Sequence, residues 1–304
     1  MPDLNRRQFL NRTALASAAL ALSRSSPAAV AAAARPASPG IIDTNVNLFR
    51  WPFRKLKYSD TAALVAKLRK HRVIEAWAGS YEALLDKDIN GVNERLAAEC
   101  RAHGRGLLRP IGSVNLAWPD WEEDVRRCHE VFKMPGLRIF PGYQPFDLGH
   151  PDLPRLLALT RERGLLLQIA FSMEDSRVHH PAISPGTVVA APLIAAMKSV
   201  PAAKVQVLHF SGNAQGSDLG QLMRETSAAI DISRWESNGM VGRMIGARPE
   251  TKSPRVPIER ALFGSHAPYF PLETAILKLI ESPLDATQLH AIMQGNARKL
   301  LAAA

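Results

Sequence analysis

The sequence predicts an α/β fold, a single-domain (β/α)8 TIM barrel with an extra C-terminal helix, and three observations carry that prediction. Apolar β-type runs recur eight times between residues 41 and 266. The stretches between them place apolar residues at helical spacing. Eight such pairs in about 260 residues suit a closed barrel. An open doubly wound sheet is the competitor, but no Gly-rich dinucleotide fingerprint follows the first run.

The first run is Ile41-Ile42-Asp43-Thr44-Asn45-Val46-Asn47-Leu48. Side chains on a strand alternate, so Asp43, Asn45 and Asn47 are expected on one face and Ile42, Thr44, Val46 and Leu48 on the other. Trp51-Pro52-Phe53 follows at once, and a polar strand face ending in an aromatic turn reads as the floor of a site. Further strands are expected at 73–80, 107–115, 136–142, 165–172, 204–211, 228–233 and 260–266. Helices are expected at 61–72, 88–103, 120–132, 153–163, 188–199, 215–226 and 238–247, then at 273–282 and 286–302. The helix from 120 opens with Asp120-Trp121-Glu122-Glu123, acids at the positive end of its dipole, and Gly104 and Gly164 stand where helices should stop.

Ahead of the barrel lies a leader, expected to span 1–34, with the barrel domain taking 35–304. Asn5-Arg6-Arg7-Gln8-Phe9-Leu10 precedes a weakly apolar, alanine-rich run from Thr13 to Leu22, and Ala31-Ala32-Ala33-Ala34 offers small-residue cleavage sites. This resembles a twin-arginine export signal. It implies the Tat export machinery as a partner and a periplasmic or extracellular mature protein. The run is too short and too poor in large apolar residues to be a spanning helix, so no stable membrane anchor is expected. Cys100 and Cys128 lack ligand-type spacing and read as isolated buried thiols. Outside the leader the chain holds 34 Lys and Arg against 27 Asp and Glu. That excess is scattered rather than clustered with aromatics, which argues against nucleic acid as a partner and leaves a small-molecule substrate.

Three further segments carry a family likeness. Val207-Leu208-His209, Leu262-Phe263-Gly264-Ser265-His266-Ala267-Pro268-Tyr269 and Gly295-Asn296-Ala297-Arg298-Lys299-Leu300 together resemble the amidohydrolase superfamily, in its amidohydrolase-related, decarboxylase and lactonase-like branch. The likeness implies a barrel from about Ile41 to Leu301. It also implies a divalent metal held by a His-x-His pair ending strand one, histidines on strands five and six, and an aspartate on strand eight. Here Asn45 and Asn47 fill the His-x-His places, Gln168 and Ala170 stand on strand five, His209 matches on strand six, and His266 replaces the aspartate.

A carboxamide offers one weak carbonyl donor where zinc prefers an imidazole nitrogen, so the expected site holds no cofactor and no metal of the family kind. His209 and His266 become the candidate acid–base groups, with Asp43 beside them. Asn45, Asn47, Arg138, Gln168 and Trp51 are candidates for orienting substrate. An inward Arg138 needs an anionic partner, either an internal carboxylate such as Asp43 or a substrate carboxylate. Arg54, Trp77, Ser80, Asn115, Asp231 and Glu236 also fall near strand ends, where packing or capping explains most of them. One other arrangement would rebuild a zinc centre from His179 and His180, in the loop after strand five, with His209 and His266. The function expected is an exported hydrolase of a lactone, ester or C–N bond that works without metal. The alternatives are decarboxylation of a small aromatic acid, or a non-catalytic barrel that only binds.

Overall fold

Among the described residues nine short parallel strands form the centre: β1 (Ile41–Leu48), β2 (Val73–Ser80), β3 (Leu108–Pro110), β4 (Gly112–Ser113), β5 (Gly136–Ile139), β6 (Leu166–Ala170), β7 (Lys204–Leu208), β8 (Ala229–Asp231) and β9 (Ala261–Leu262). They occur in a computed structural model that describes residues 40–183, 185–210, 216–247 and 255–302. β3 and β4 are one barrel strand interrupted at Ile111, whose N–H still reaches Ala78 O on β2 at 2.8 Å. Pairing runs β1-β2-β3 and then β4 through β9 in sequence order. Thr44 N–H donates to Phe263 O, and Asn47 N–H to Ala267 O, each at 2.9 Å, which ties the last strand to the first and closes the cylinder. The eight expected strands are therefore the eight staves of a (β/α)8 barrel.

Helices follow the strands: α1 (Thr61–Lys70), α2 (Ile89–His103), α3 (Trp121–Glu130), α4 (Leu153–Glu162), α5 (Ala191–Ser199), α6 (Gly216–Glu225) and α7 (Met240–Ile245). α8 (Leu272–Ile280), α9 (Ala286–His290) and α10 (Asn296–Leu301) complete the chain, with a π turn at Ala291–Gly295 joining the last two. Asp60 caps α1 and Asp88 caps α2, each accepting a backbone N–H at 2.8 Å, as the preference for short acidic side chains at N-caps predicts. Among the described residues no helix is long and apolar enough to cross a membrane. Cys100 and Cys128 are buried free thiols. The leader, residues 1–34, lies outside the described residues.

The barrel interior is layered. Ile42, Trp77, Ile111, Leu166, Ala229 and Leu262 fill its lower end, and Ala297 of α10 plugs it from beneath. Asn296 holds that plug by donating to Ile258 O and Ala261 O, both at 2.8 Å, so the Gly-Asn-Ala-Arg segment near the terminus is a structural closure. Above the apolar layer lies a polar one: Gln206 Nε2 donates to Thr44 Oγ1 (2.7 Å), and Gln168 Nε2 to Thr44 O and to Gln206 Oε1 (2.8 Å each). Thr44 thus works in the interior, contrary to simple alternation along β1. The register shifts between Asp43 and Val46, and this bulge lets Thr44, Asn45 and Asn47 all contribute to the interior.

Candidate active site at the C-terminal end of the barrel

At the upper end, polar side chains from six strands meet with no exposure to solvent: Asn45, Asn47, Arg138, Gln168, His209, Asp231 and His266 are each 0% exposed. Arg138 of β5 is the hub. Its guanidinium donates to Asn47 Oδ1 (2.6 Å), Gln168 Oε1 (2.9 Å), Val46 O (3.1 Å) and Trp77 O (3.4 Å). Asp43 is not among these partners, which are all neutral. Burial pulls the Arg138 pKa down to about 10, while Asp231, Tyr81 and Asp43 support its charge through space.

The two histidines sit on strand ends and share an unusual backbone. His209 follows β7 with φ 58° and His266 lies beyond β9 with φ 59°. Left-handed backbone costs a non-glycine residue about 1–3 kcal/mol and persists only where surroundings over-determine it. Buried carboxylates supply that constraint. Asp231 Oδ1 accepts from His209 N–H (3.1 Å) and from Ser233 Oγ (2.9 Å), and Asp231 Oδ2 accepts from Asn45 Nδ2 (2.5 Å). Asp43 Oδ1 accepts from Ser265 N–H (3.0 Å) and Asn45 N–H (3.1 Å), and His266 N–H donates to Asn45 O (2.9 Å). Asp43, expected beside the histidines as an acid–base group, spends one oxygen on fixing the turn before His266. Burial raises its pKa to about 7 against the hydrogen bonds from Ser265, and burial likewise raises that of Asp231.

The imidazoles lie 3.9 Å apart between centroids, at 48°. His266 Nε2 meets Met173 O at 2.8 Å. A carbonyl only accepts, so this nitrogen carries the proton and Nδ1 is left as a bare acceptor. Both His209 nitrogens and His266 Nδ1 have no protein partner. Desolvation pulls His266 down to about 3 and His209 well below the usual imidazole range, with the charges of Arg138 and Arg234 acting the same way on both. Each histidine is neutral at ordinary pH.

A cavity of about 820 Å³ opens above this layer, and His209 is part of its wall. Of the sequence-predicted site residues, His179 and His180 also line it, whereas Asn45, Asn47, Arg138, Gln168, Asp43, Trp51 and His266 do not. His180 is exposed and stacks on Phe53 (5.7 Å), away from the buried pair. Among the described residues no three His, Cys, Asp or Glu side chains gather in a metal-holding group. The four-histidine centre therefore does not assemble. Trp51 is packed edge-on against Phe53, Tyr81, Tyr143 and Tyr269 (5.1–6.2 Å) as the centre of an aromatic cluster, a packing role in place of the expected substrate contact.

Three groups that sequence reasoning passed over belong to this region. Glu174 is buried and accepts hydroxyl hydrogen bonds from Tyr143 and Tyr269 (3.2 Å each). Ser265 holds Asp43, and Arg234 lies on the cavity wall three residues after Asp231. The signal available for Arg234 was its place in Asp231-Ile232-Ser233-Arg234, at the catalytic end of a barrel strand.

A family model described as Amidohydrolase matches residues 42–302. The chain belongs to the amidohydrolase family. No curated protein matches the chain by sequence. Solved structures resemble its fold. One is a 5-carboxyvanillate decarboxylase from Sphingomonas paucimobilis, 13% identical, with TM-score 0.65 over 87% of this chain and 99% of that one. A second is a 2,6-dihydroxybenzoate decarboxylase from Rhizobium, 13% identical, with TM-score 0.60 over 85% and 98%. A third is a 5-carboxyvanillate decarboxylase from Novosphingobium aromaticivorans, 13% identical, with TM-score 0.60 over 86% and 96%, complexed with manganese and 4-hydroxy-3-methoxy-5-nitrobenzoic acid.

A divalent metal of the family kind does not suit the donors of this chain. Asn47 Oδ1 and Gln168 Oε1, oxygens at two of the ligand places, are already held by the Arg138 guanidinium. The buried acceptors left without a partner are Asn45 Oδ1, three imidazole nitrogens and a single carboxylate oxygen, Asp43 Oδ2, so a second cation would enter beside the fixed Arg138 charge with at most that one anionic oxygen to offset it.

Proposed function

We propose that this protein is an exported enzyme that opens a lactone or ester of a small organic molecule in the cavity above His209, with its own imidazole as the base. The observation carrying this reading is His209 itself: held in a left-handed turn by Asp231, part of the cavity wall, and with both ring nitrogens buried just behind that wall without a hydrogen-bond partner. A ring nitrogen of His209 takes a proton from water as the water oxygen bonds to the substrate carbonyl carbon. The carbonyl π electrons move onto oxygen, then return as the C–O bond breaks. The leaving alkoxide takes the proton back from His209, giving a hydroxy acid or an acid and an alcohol. A base of such low affinity for protons suits a reactive carbonyl such as a strained lactone far better than an amide. His266, packed beside it with Nδ1 bare, keeps the base from tilting away.

The test is turnover of a lactone and ester panel by the mature protein and by His209→Asn, a substitution that tolerates the left-handed backbone. General-base loss predicts kcat lower by about 10²–10⁴-fold with an unchanged melting temperature. Equal turnover would refute the role given to His209. The solved neighbours that decarboxylate aromatic acids favour a second reading, in which the same cavity releases carbon dioxide from an aromatic acid and a proton takes its place on the ring. Carbon dioxide evolution from such acids, with no lactone opened, would select it.

A further inference from the structure

The positive excess of the domain sits in one stretch. Outside the leader the chain holds 34 Lys and Arg against 27 Asp and Glu, and residues 50–72 alone hold eight against one, Asp60, so the remainder balances at 26 of each. The expectation of scattered charge therefore fails. The stretch begins with the loop that leaves β1 at the barrel mouth, Arg50-Trp51-Pro52-Phe53-Arg54-Lys55-Leu56-Lys57. Trp51 and Leu56 are buried and fix this loop, which leaves Arg50, Arg54, Lys55 and Lys57 exposed. Among the described residues none of the four meets a carboxylate: Arg54 lies over the Tyr269 ring at 4.5 Å and Lys57 over Tyr58 at 5.5 Å.

The acids of the same rim are already paired. Arg95 holds Glu82 and Asp86 at 2.9 Å each, Arg177 holds Asp175 at 2.7 Å, and Arg234 holds Glu236 at 3.1 Å. Beside the cations stand apolar side chains that solvent reaches: Leu85 is 49% and Val178 53% exposed, on the loops after β2 and β6. Leu85 shares a cleft of about 600 Å³ with Arg50 and Pro52, and Val178 borders one of about 260 Å³ with Arg54. Unpaired cations and apolar tips thus share the end of the barrel that holds the cavity above His209.

We propose that this rim docks on an anionic phospholipid bilayer, with Leu85 and Val178 entering the headgroup boundary and Arg50, Arg54, Lys55 and Lys57 lying against lipid phosphates. Peripheral binding needs two weak signals together, apolar surface to bury and attraction to anionic lipid, and the rim carries both. A small free anion would need donors that converge, whereas these four cations are strung along one loop. A nucleic acid strand would need open aromatic faces for stacking, but Trp51 is 2% exposed and Phe53 is stacked on His180 at 5.7 Å. Docking of this kind turns the barrel mouth toward the membrane and does not depend on the reaction proposed above.

The experiment is co-sedimentation of the mature protein with phosphatidylglycerol vesicles and with phosphatidylcholine vesicles, at about 0.1 M and about 0.5 M salt. Binding to phosphatidylglycerol should be at least about 10-fold tighter and should fall steeply at the higher salt. Each Lys or Arg near such a surface contributes about fivefold, so Lys55→Gln with Lys57→Gln should weaken binding by about 25-fold. Leu85→Ser with Val178→Ser should weaken it by about 10-fold and keep the salt dependence. Lys70→Gln with Arg101→Gln removes the same charge from exposed positions at the opposite end of the barrel, and binding should stay within about twofold. All six positions are exposed, and an unchanged melting temperature verifies the fold of each variant. No binding, equal binding to both vesicles, equal loss from the two pairs of charge variants, or tighter binding of single-stranded DNA would overturn the proposal. His209→Asn should bind vesicles as the parent does, so loss of docking is distinguishable from loss of the reaction.

Discussion

Arg138 places a guanidinium where solvent does not reach, and every hydrogen bond it makes ends on a neutral oxygen. Its removal would leave Asn47 Oδ1, Gln168 Oε1 and two backbone carbonyls short of a donor at once. Each such group costs about 1–3 kcal/mol, partly offset by relief from burying a charge. Arg138→Met should therefore lower unfolding stability by about 3 kcal/mol in urea denaturation with an unchanged slope; a neutral result would mean that these oxygens find other donors. Asp43 makes a different prediction. Its folded pKa near 7 exceeds the unfolded value, so the native state holds an extra proton between about pH 4 and 7 and stability from this group is lost as pH rises through that window. Asp43→Asn keeps the accepting oxygen and cannot titrate. Its stability relative to the parent should climb by about 4 kcal/mol from pH 4 to pH 8, and parallel pH profiles would show that Asp43 is already ionised at pH 4. The inward direction of Arg138 was legible from strand alternation. Its neutral partners were not, because they converge from β1, β2 and β6, whose spacing no linear pattern records.

Two strand glycines make room for these side chains. A Cβ at Gly79 on β2 would fall 2.7 Å from Arg138 Nη1, and one at Gly264, after β9, would fall 2.6 Å from Asp231 Oδ2. Gly264→Ala must displace Asp231, which holds both Asn45 and the His209 turn. The expected outcome is loss of most turnover, about 10²-fold, with only a modest fall in melting temperature; full activity would mean that the Asp231 contacts do not set the position of His209. The eight staves themselves were readable, since each is a short, largely apolar run set off by helical periodicity. The bulge inside β1 was not, because Asp43, Asn45 and Asn47 keep a two-residue spacing that gives no sign of the register slip between Asp43 and Val46. The closing segment near the terminus was visible as a family signature, and its reason appears only when Asn296 is seen bonding Ile258 O and Ala261 O beneath the barrel.

Across the whole molecule, the upper barrel replaces a pattern of ligands around a mobile cation with a pattern of neutral acceptors around a fixed one. Asn45 and Asn47 remain polar because Asp231 and Arg138 require partners, and both histidines are depressed in basicity chiefly because burial desolvates them, with the Arg138 and Arg234 charges adding to it. Such a site should respond weakly to divalent ions. Metal that bound only the native state would raise stability by RT ln(1 + [L]/Kd), about 2.7 kcal/mol at a hundredfold excess over Kd. Incubation of the mature protein with manganese or zinc, followed by gel filtration and elemental analysis, should leave fewer than about one ion per ten chains, and chelation should move neither the melting temperature nor turnover. Stoichiometric metal with a melting temperature several degrees higher would show that the guanidinium yields Asn47 and Gln168 to an incoming ion. In that event His209→Asn should lower metal content as well as activity. If the fixed cation has instead taken over the site, the same variant should lose turnover in protein that never carried metal.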